Sequence, residues 1–280
     1  MLPTGQVSVV EWQGGADSQD ENLLEGLCLH PKDPAQMQQV IGPCMQRRVL
    51  WAKGMRSSGL RIGVAFLPTG EKAGLVECVP LEHAAEPVSG PGGLFINCLW
   101  VLPEHRGKGV ATALLEHIKG WTQGTQVLAV LAYEGDKWFG YFPYMPARFF
   151  GRFGFTEVDR DGSRVLMLLN TRNQPEAGVT ASFSIVRPRT RSIQPSAAGR
   201  SVVEILVNSQ CPWAGWMVHR ATEHLKGLAV EVHVVNTDAP STAREYGLTR
   251  GVFVDGKPLL KRLSSGPEIA RAVKAYLANA

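Results

Sequence analysis

The chain has 280 residues, a formal net charge of +4, 44% hydrophobic residues and 19% charged ones. That length favours two domains over one, and that composition fills a core, which sets aside wholesale disorder. So small a charge excess, with no block of like charges, gives no electrostatic case for nucleic acid, and no apolar run of ~18 residues offers a membrane span.

Met1 to Asp20 has neither the basic start nor the apolar stretch of a secretory leader. Cys28, Cys44, Cys78, Cys98 and Cys211 make an odd set with no CxxC spacing. Reduced thiols in a cytoplasm fit this better than a disulfide framework or a zinc site, so no metal is expected.

Gly59 to Leu67 and Lys72 to Leu81 read as strands joined at Pro68-Thr69-Gly70. Leu94 to Val101 (LFINCLWV) is an apolar run of strand length, the pattern of a central strand buried on both faces. From Val110 to Gln123 the period changes: Ala111, Leu114, Leu115, Ile118 and Trp121 give a helix with one buried stripe. Gln126 to Tyr133 predicts a second buried strand, Ala147 to Phe153 a short helix, and Arg164 to Leu169 a further strand. The Pro-, Gly- and Arg-rich stretch from Thr171 to Arg200 reads as a junction, with one extra strand at Ala181 to Val186. Beyond it come strand Val202 to Val207, helix Ala214 to Leu225, strand Ala229 to Val235 and a short helical piece. A hairpin at Asp255-Gly256 and a last helix, Pro267 to Leu277, complete the chain. The break falls near Pro195 to Gly199, giving domains 1–195 and 196–280.

Chemistry concentrates in Leu99 to Leu115, LWVLPEHRGKGVATALL. A buried strand ends, a short loop turns, and a helix opens behind Gly107 and Gly109. Glycines let backbone N–H groups approach a ligand closely, and a helix N-terminus adds unpaired donors and a positive dipole end. Together they form a cradle for a pyrophosphate, with Arg106 and Lys108 adding charge. A plain glycine turn between strand and helix is the alternative.

This stretch resembles the acetyl-CoA motif of the GNAT superfamily of N-acyltransferases, Gln/Arg-x-x-Gly-x-Gly/Ala, filled by Arg106, Gly109 and Ala111. The resemblance implies an α/β (α+β) fold: a mixed sheet with flanking helices. It also implies acetyl-CoA as cosubstrate, held by Arg106, Gly107, Lys108, Gly109, Val110, Ala111 and Thr112, with the pantetheine arm pairing along Leu99, Trp100 and Val101. The acceptor would be a small-molecule or peptide amine, with no nucleic acid and no membrane involved, and pairing into a homodimer left open. Phe149 to Phe155 (FFGRFGF) is similar to a second family segment, but Phe150 stands where a proton-donating Tyr is usual. Tyr141 and Tyr144 lie just upstream as substitutes, or simply as packing aromatics.

Glu77 sits in the apolar strand AGLVECVP, where a carboxylate is out of character. A buried Glu gains a raised pKa and suits a general base, so Glu77 is the candidate, with Glu134 at the end of the next strand the rival; either can instead be a salt-bridge partner. Cys98 near the acetyl position reads as a small buried hydrophobe before an acyl carrier. His83 and His105 read as surface residues.

The C-terminal part resembles a thioredoxin-like domain, and the whole chain resembles the YoaP-like group, a GNAT domain followed by a short domain with an Asn-x-x-Cys-Pro loop. Here that loop is Asn208-Ser209-Gln210-Cys211-Pro212. Two departures stand out: Ala214 replaces a second Cys, and Arg250 falls where a cis-proline is usual. Cys211 beside a helix N-terminus is expected to have a lowered pKa, but no spacing supplies it with a partner thiol. A CoA-binding sensor without catalysis, and a thiol protein acting through Cys211, are the rival functions.

Overall fold

The computed structural model describes residues 6–15, 23–29, 33–122, 127–135, 137–138, 142–171, 182–194, 196 and 199–279. The long apolar run is a strand with the bounds its composition predicts, Leu94–Val101 (β5), and it stands in the middle of the larger sheet. Before it in the chain come Ser8–Trp12 (β1), the helix Ala35–Met55 (α1), Arg61–Phe66 (β2), Lys72–Pro80 (β3) and Val88–Ser89 (β4). After it come the helix Val110–Lys119 (α2), Val127–Tyr133 (β6), Lys137–Trp138 (β7), Phe142–Pro143 (β8), the short helix Ala147–Gly151 (α3), Thr156–Asp161 (β9) and Arg164–Asn170 (β10). The sheet order is β1-β2-β3-β5-β6-β10-β9. Every neighbouring pair is antiparallel except β5 and β6. This is a mixed α/β architecture built on a mixed sheet.

Side chains alternate across a strand, so β3 faces two ways. A Cβ placed on Gly74 would lie 3.3 Å from Val110 Cγ1, which puts α2 over the face of Gly74 and Val76. Glu77 therefore points to the opposite face, where α1 lies and presents Arg48. β1, α1 and β9 are the elements of this sheet that the periodicity left unassigned.

Ser184–Ile185 (β11) realises part of the strand expected at Ala181 to Val186, pairing with β4; Ala181 itself is outside the described residues, as are Pro195 and Gln126. A second sheet follows. Ser201–Val207 (β12) runs parallel to Val230–Asn236 (β13) and antiparallel to Gly251–Val254 (β14), which pairs with Lys257–Leu260 (β15). The order is β13-β12-β14-β15. Helix Trp213–Leu225 (α4) follows β12, Pro240–Tyr246 (α5) follows β13, and Gly266–Leu277 (α6) packs on α4. Asp255 and Gly256 both take positive φ, 48° and 75°, as a tight primed turn between β14 and β15 demands.

The two sheets share one apolar core. A single cluster of buried residues runs from Trp12 and Ile62 through Leu115 and Phe150 to Met217, Ala221 and Val273. α1 crosses α4 closely: a Cβ on Gly215 would lie 2.3 Å from Cys44 Sγ. Gly215→Val is expected to lower stability by ~1–3 kcal/mol, because an already filled contact has no room for added methyls. Thermal melts should show a drop of several degrees that Cys44→Ala, in the same chain, largely restores.

Candidate functional site

β5 and β6 pair only at Leu94–Ile96 with Leu128–Val130. β5 continues to Val101 and β6 to Tyr133, so the two strands part beyond Ile96 and Val130. The cause is local. Against β3 the register of β5 jumps at Asn97, since Glu77 faces Cys98 whereas Cys78 faces Ile96. One extra residue in a strand is a β-bulge, and it bends and twists that strand away from its neighbour. The N–H of Tyr133 at the end of β6 binds the carbonyl of Met145 at 3.0 Å, so the segment Tyr144–Pro146 closes the side that β5 has left. Met145 is held at φ 42°, a strained conformation of the kind that clusters at functional sites.

The parted strands open a cleft of about 980 Å³. Its walls include Leu99, Trp100, Val101, Arg106, Gly107, Gly109, Val110, Ala111, Thr112 and Tyr144, ten of the residues that the sequence motif and its neighbours single out. Gly107 and Gly109 take φ 77° and 79°, which side chains rarely adopt, and a Cβ on either would meet no protein atom within 4 Å. The bare backbone thus faces the open cleft. The first bond of α2 runs from the N–H of Ala113 to the carbonyl of Gly109 at 3.0 Å, so the N–H groups of Val110, Ala111 and Thr112 precede the helical ladder. No side chain caps this helix end. An anionic group fits here on charge and on hydrogen bonding.

Arg106 lies over the ring of Trp100 at 5.3 Å, which braces the indole beside the cradle. Lys108 is the motif residue outside the cleft wall; its Nζ sits 3.4 Å from Nδ1 of His105. His105 corrects a surface expectation: it is buried and lines the cleft. Arg148 and Arg152 also line the cleft, and sequence reasoning missed them. Their signal is a basic pair four residues apart, one helical turn, following the Tyr144-Met145-Pro146 turn. With Arg106 they bring three guanidinium groups to a single opening, the charge a polyphosphate requires.

Tyr144 is buried at the inner end, its ring centroid 6.0 Å from that of Tyr133. Its hydroxyl hydrogen-bonds the Cys98 thiol. Burial and the neighbouring Cys98 push the phenol well above the ordinary tyrosine range, while the Arg250 cation opposes that shift. Tyr141 is outside the described residues. Phe150 is fully buried among Phe149 and Phe155, with ring centroids 5.2 and 5.3 Å away, and offers no proton.

Glu77 does not stand alone in its strand. Both its oxygens are taken: Arg48 Nη2 donates to Oε1 at 2.8 Å, and the Gln210 amide donates to Oε2. Gln210 also accepts from Arg250 Nη1 at 2.7 Å, and Arg250 pairs with Glu86. All five side chains are buried. The rival carboxylate, Glu134, is exposed and paired with Arg160 at the surface. Cys211 corrects a second expectation. Its thiol is raised, not lowered, because burial outweighs Arg250, the Trp213 N–H and Arg48.

Residues 61–157 match the family model described as Acetyltransferase (GNAT) domain. The matched segment carries the bulge, the cradle and the short helix α3, so the cleft just described belongs to an acetyltransferase. An uncharacterized N-acetyltransferase of Bacillus subtilis, YoaP, is 24% identical over 213 residues, covering 74% of this chain and 78% of its own. An acetyltransferase structure from Thermus thermophilus is 16% identical with a TM-score of 0.42, covering 60% of this chain and 98% of that one. The GNAT N-acetyltransferase YhbS of Escherichia coli, crystallised in complex with CoA, is 15% identical with a TM-score of 0.41, covering 65% and 91%. Among the described residues no cluster of His, Cys, Asp and Glu is arranged to hold a metal, and no helix is long and apolar enough to cross a membrane.

Gly109→Glu sets a side chain and a negative charge into the cradle. CoA and acetyl-CoA binding, read by calorimetry, is expected to weaken more than tenfold, ~1.4 kcal/mol or above, with the circular dichroism spectrum retained. Unchanged affinity would move the ligand elsewhere.

Proposed function

We propose that this enzyme transfers an acetyl group from acetyl-CoA to a primary amine by direct attack in a ternary complex. The observation that carries this reading is the parting of β5 and β6 beside an uncapped, glycine-built helix start, with a buried tyrosine at the inner end. Backbone N–H groups at Gly107, Gly109, Val110, Ala111 and Thr112, with Arg106, hold the pyrophosphate, and Arg148 and Arg152 add charge at the mouth. The pantetheine arm, rich in amides, pairs along β5 at Leu99, Trp100 and Val101, the stretch that has parted from β6, and this fixes the thioester beside Tyr144.

In the reaction the amine nitrogen attacks the thioester carbonyl, the C–N bond forms, the C–S bond breaks, and the departing sulfur takes the hydroxyl proton of Tyr144. The amine sheds its proton to water. Glu77 serves as a positioning carboxylate, since both its oxygens are engaged. The acceptor is a small molecule or peptide, and the enzyme works in the cytoplasm. Residues 1–195 and 196–280 are its two domains. The second is thioredoxin-like, a reading supported by the β-α-β, β-β-α order around a sheet of order β13-β12-β14-β15.

Turnover of acetyl-CoA across a panel of primary amines, with CoA binding measured in parallel, tests the proposal; binding without turnover on any amine supports a sensor instead. With an acceptor in hand, Tyr144→Phe is expected to lower kcat ~10²-fold with little change in KM for acetyl-CoA. Only the protonated phenol donates, and its pKa lies above the ordinary value of 10.0, so the wild-type rate should show no basic fall below about pH 10. Glu77→Gln should damage stability, seen as a lower Tm, more than it changes the shape of the pH profile.

A further inference from the structure

The bulge residue Asn97 stands where the pairing of β5 with β6 stops. Its side chain is buried. Oδ1 accepts from the N–H of Ala85 at 3.0 Å, and Nδ2 has no hydrogen-bond partner among the described residues. With the amino group unpaired, the bond to Ala85 fixes how this side chain sits. Ala85 in turn is held from the second sheet. Thr249, in the segment between α5 and β14, is fully buried and donates its hydroxyl to the Ala85 carbonyl at 2.6 Å. The next residue, Arg250, pairs with Glu86, so two consecutive residues clasp two consecutive ones. Thr249 is itself anchored. Its carbonyl accepts from the Thr237 hydroxyl at 2.7 Å, and the N–H of Thr237 donates to the carbonyl of Val207, at the end of β12, at 2.8 Å. Hydrogen bonds thus lead from β12 through Thr237, Thr249 and Ala85 to the bulge that opens the cleft. A group locked by such supporting bonds can hold what it touches in one geometry.

We propose that Thr249, from the second sheet, is a positioning residue for the cosubstrate: its hydroxyl holds Ala85, and through it Asn97, so that the bulge presents Leu99, Trp100 and Val101 to the pantetheine arm. The proposal rests on the reading of the cleft as an acetyl-CoA site. The phosphate cradle stands apart from this brace, because Gly107 and Gly109 belong to the loop ahead of α2 and take their shape from their own left-handed backbone. Loss of the Thr249 hydroxyl therefore weakens the hold on the pantetheine arm and spares the hold on the phosphates. Thr249→Val keeps nearly the same shape and leaves the Ala85 carbonyl without its donor, whereas Thr249→Ser keeps the donor.

Calorimetry on the full-length chain compares two probes: CoA, and the CoA fragment that ends at the pyrophosphate and lacks the pantetheine arm. Thr249→Val is expected to bind CoA ~tenfold more weakly than wild type, the scale of one or two lost hydrogen bonds, and to bind the fragment equally well. Thr249→Ser is expected to bind both as wild type does. Asn97→Ala breaks the same brace from the other end, so it should show the same split, and the double variant should bind CoA no more weakly than the weaker single one. Equal weakening toward both probes would reduce Thr249 to a contributor to general stability and overturn the proposal. Unchanged CoA binding, or single effects that add in the double variant, would overturn it too. If Thr249→Val does not fold, Asn97→Ala with the two probes decides the matter. Wild type that fails to bind CoA would sink the acetyl-CoA reading and the proposal with it, an outcome distinct from the others because no variant is needed to see it.

Discussion

The structure turns on one buried carboxylate. Glu77 lies in the middle of the main sheet with none of its surface in water. An ion there costs several kcal/mol of lost hydration unless counter-charge and hydrogen bonds replace the water. α1 supplies Arg48, and the loop ahead of α4 supplies Gln210. Gln210 leads to Arg250, and Arg250 returns to Glu86 on the first sheet's side. The chain Arg48–Glu77–Gln210–Arg250–Glu86 carries two positive and two negative charges, and each link is satisfied only in one relative placement of the three pieces. Apolar packing along the shared core tolerates sliding; this network does not.

That docking has a geometric effect on the cleft. Cys98, the residue paired with Glu77 across β3 and β5, carries the thiol that receives the Tyr144 hydrogen bond. The bulge at Asn97 sits next to it, and the amide oxygen of Asn97 accepts from the N–H of Ala85 at 3.0 Å. Thr249, beside Arg250, donates to the carbonyl of Ala85 at 2.6 Å. The bulge that parts the two strands is therefore braced from the second sheet, so the opening is held by groups from both halves of the chain.

Much of this was readable in advance, and the reasons differ by element. LFINCLWV has no polar interruption except Asn97, and its strand bounds follow from composition alone. The glycine cradle was legible because left-handed backbone and a helix start leave a compositional mark. α1 was not, although it is the longest helix: its buried positions are Ile41, Cys44, Arg48 and Ala52, spaced as a helix but chemically mixed, with Pro43 inside. An arginine in the buried stripe erases an apolar period. Glu77 was flagged correctly as out of character, but its partners lie 29 and 133 residues away, and no local pattern reports such a distance. The same holds for the burial that overrides the helix end in setting the acidity of the Cys211 thiol.

The order of the network along the chain bears on how the protein is made. Synthesis runs from the N-terminus, and early segments begin to fold while later ones are still on the ribosome. The strand that carries Glu77 and the helix that carries Arg48 emerge together, but Gln210 and Arg250 follow only after the central cleft strands have been released. A nascent chain thus holds its sheet with the Glu77 face half-compensated and open to water. The later stretch that carries Gln210 and Arg250 is what turns that wet face into protein interior, so maturation of the cleft waits for the second sheet.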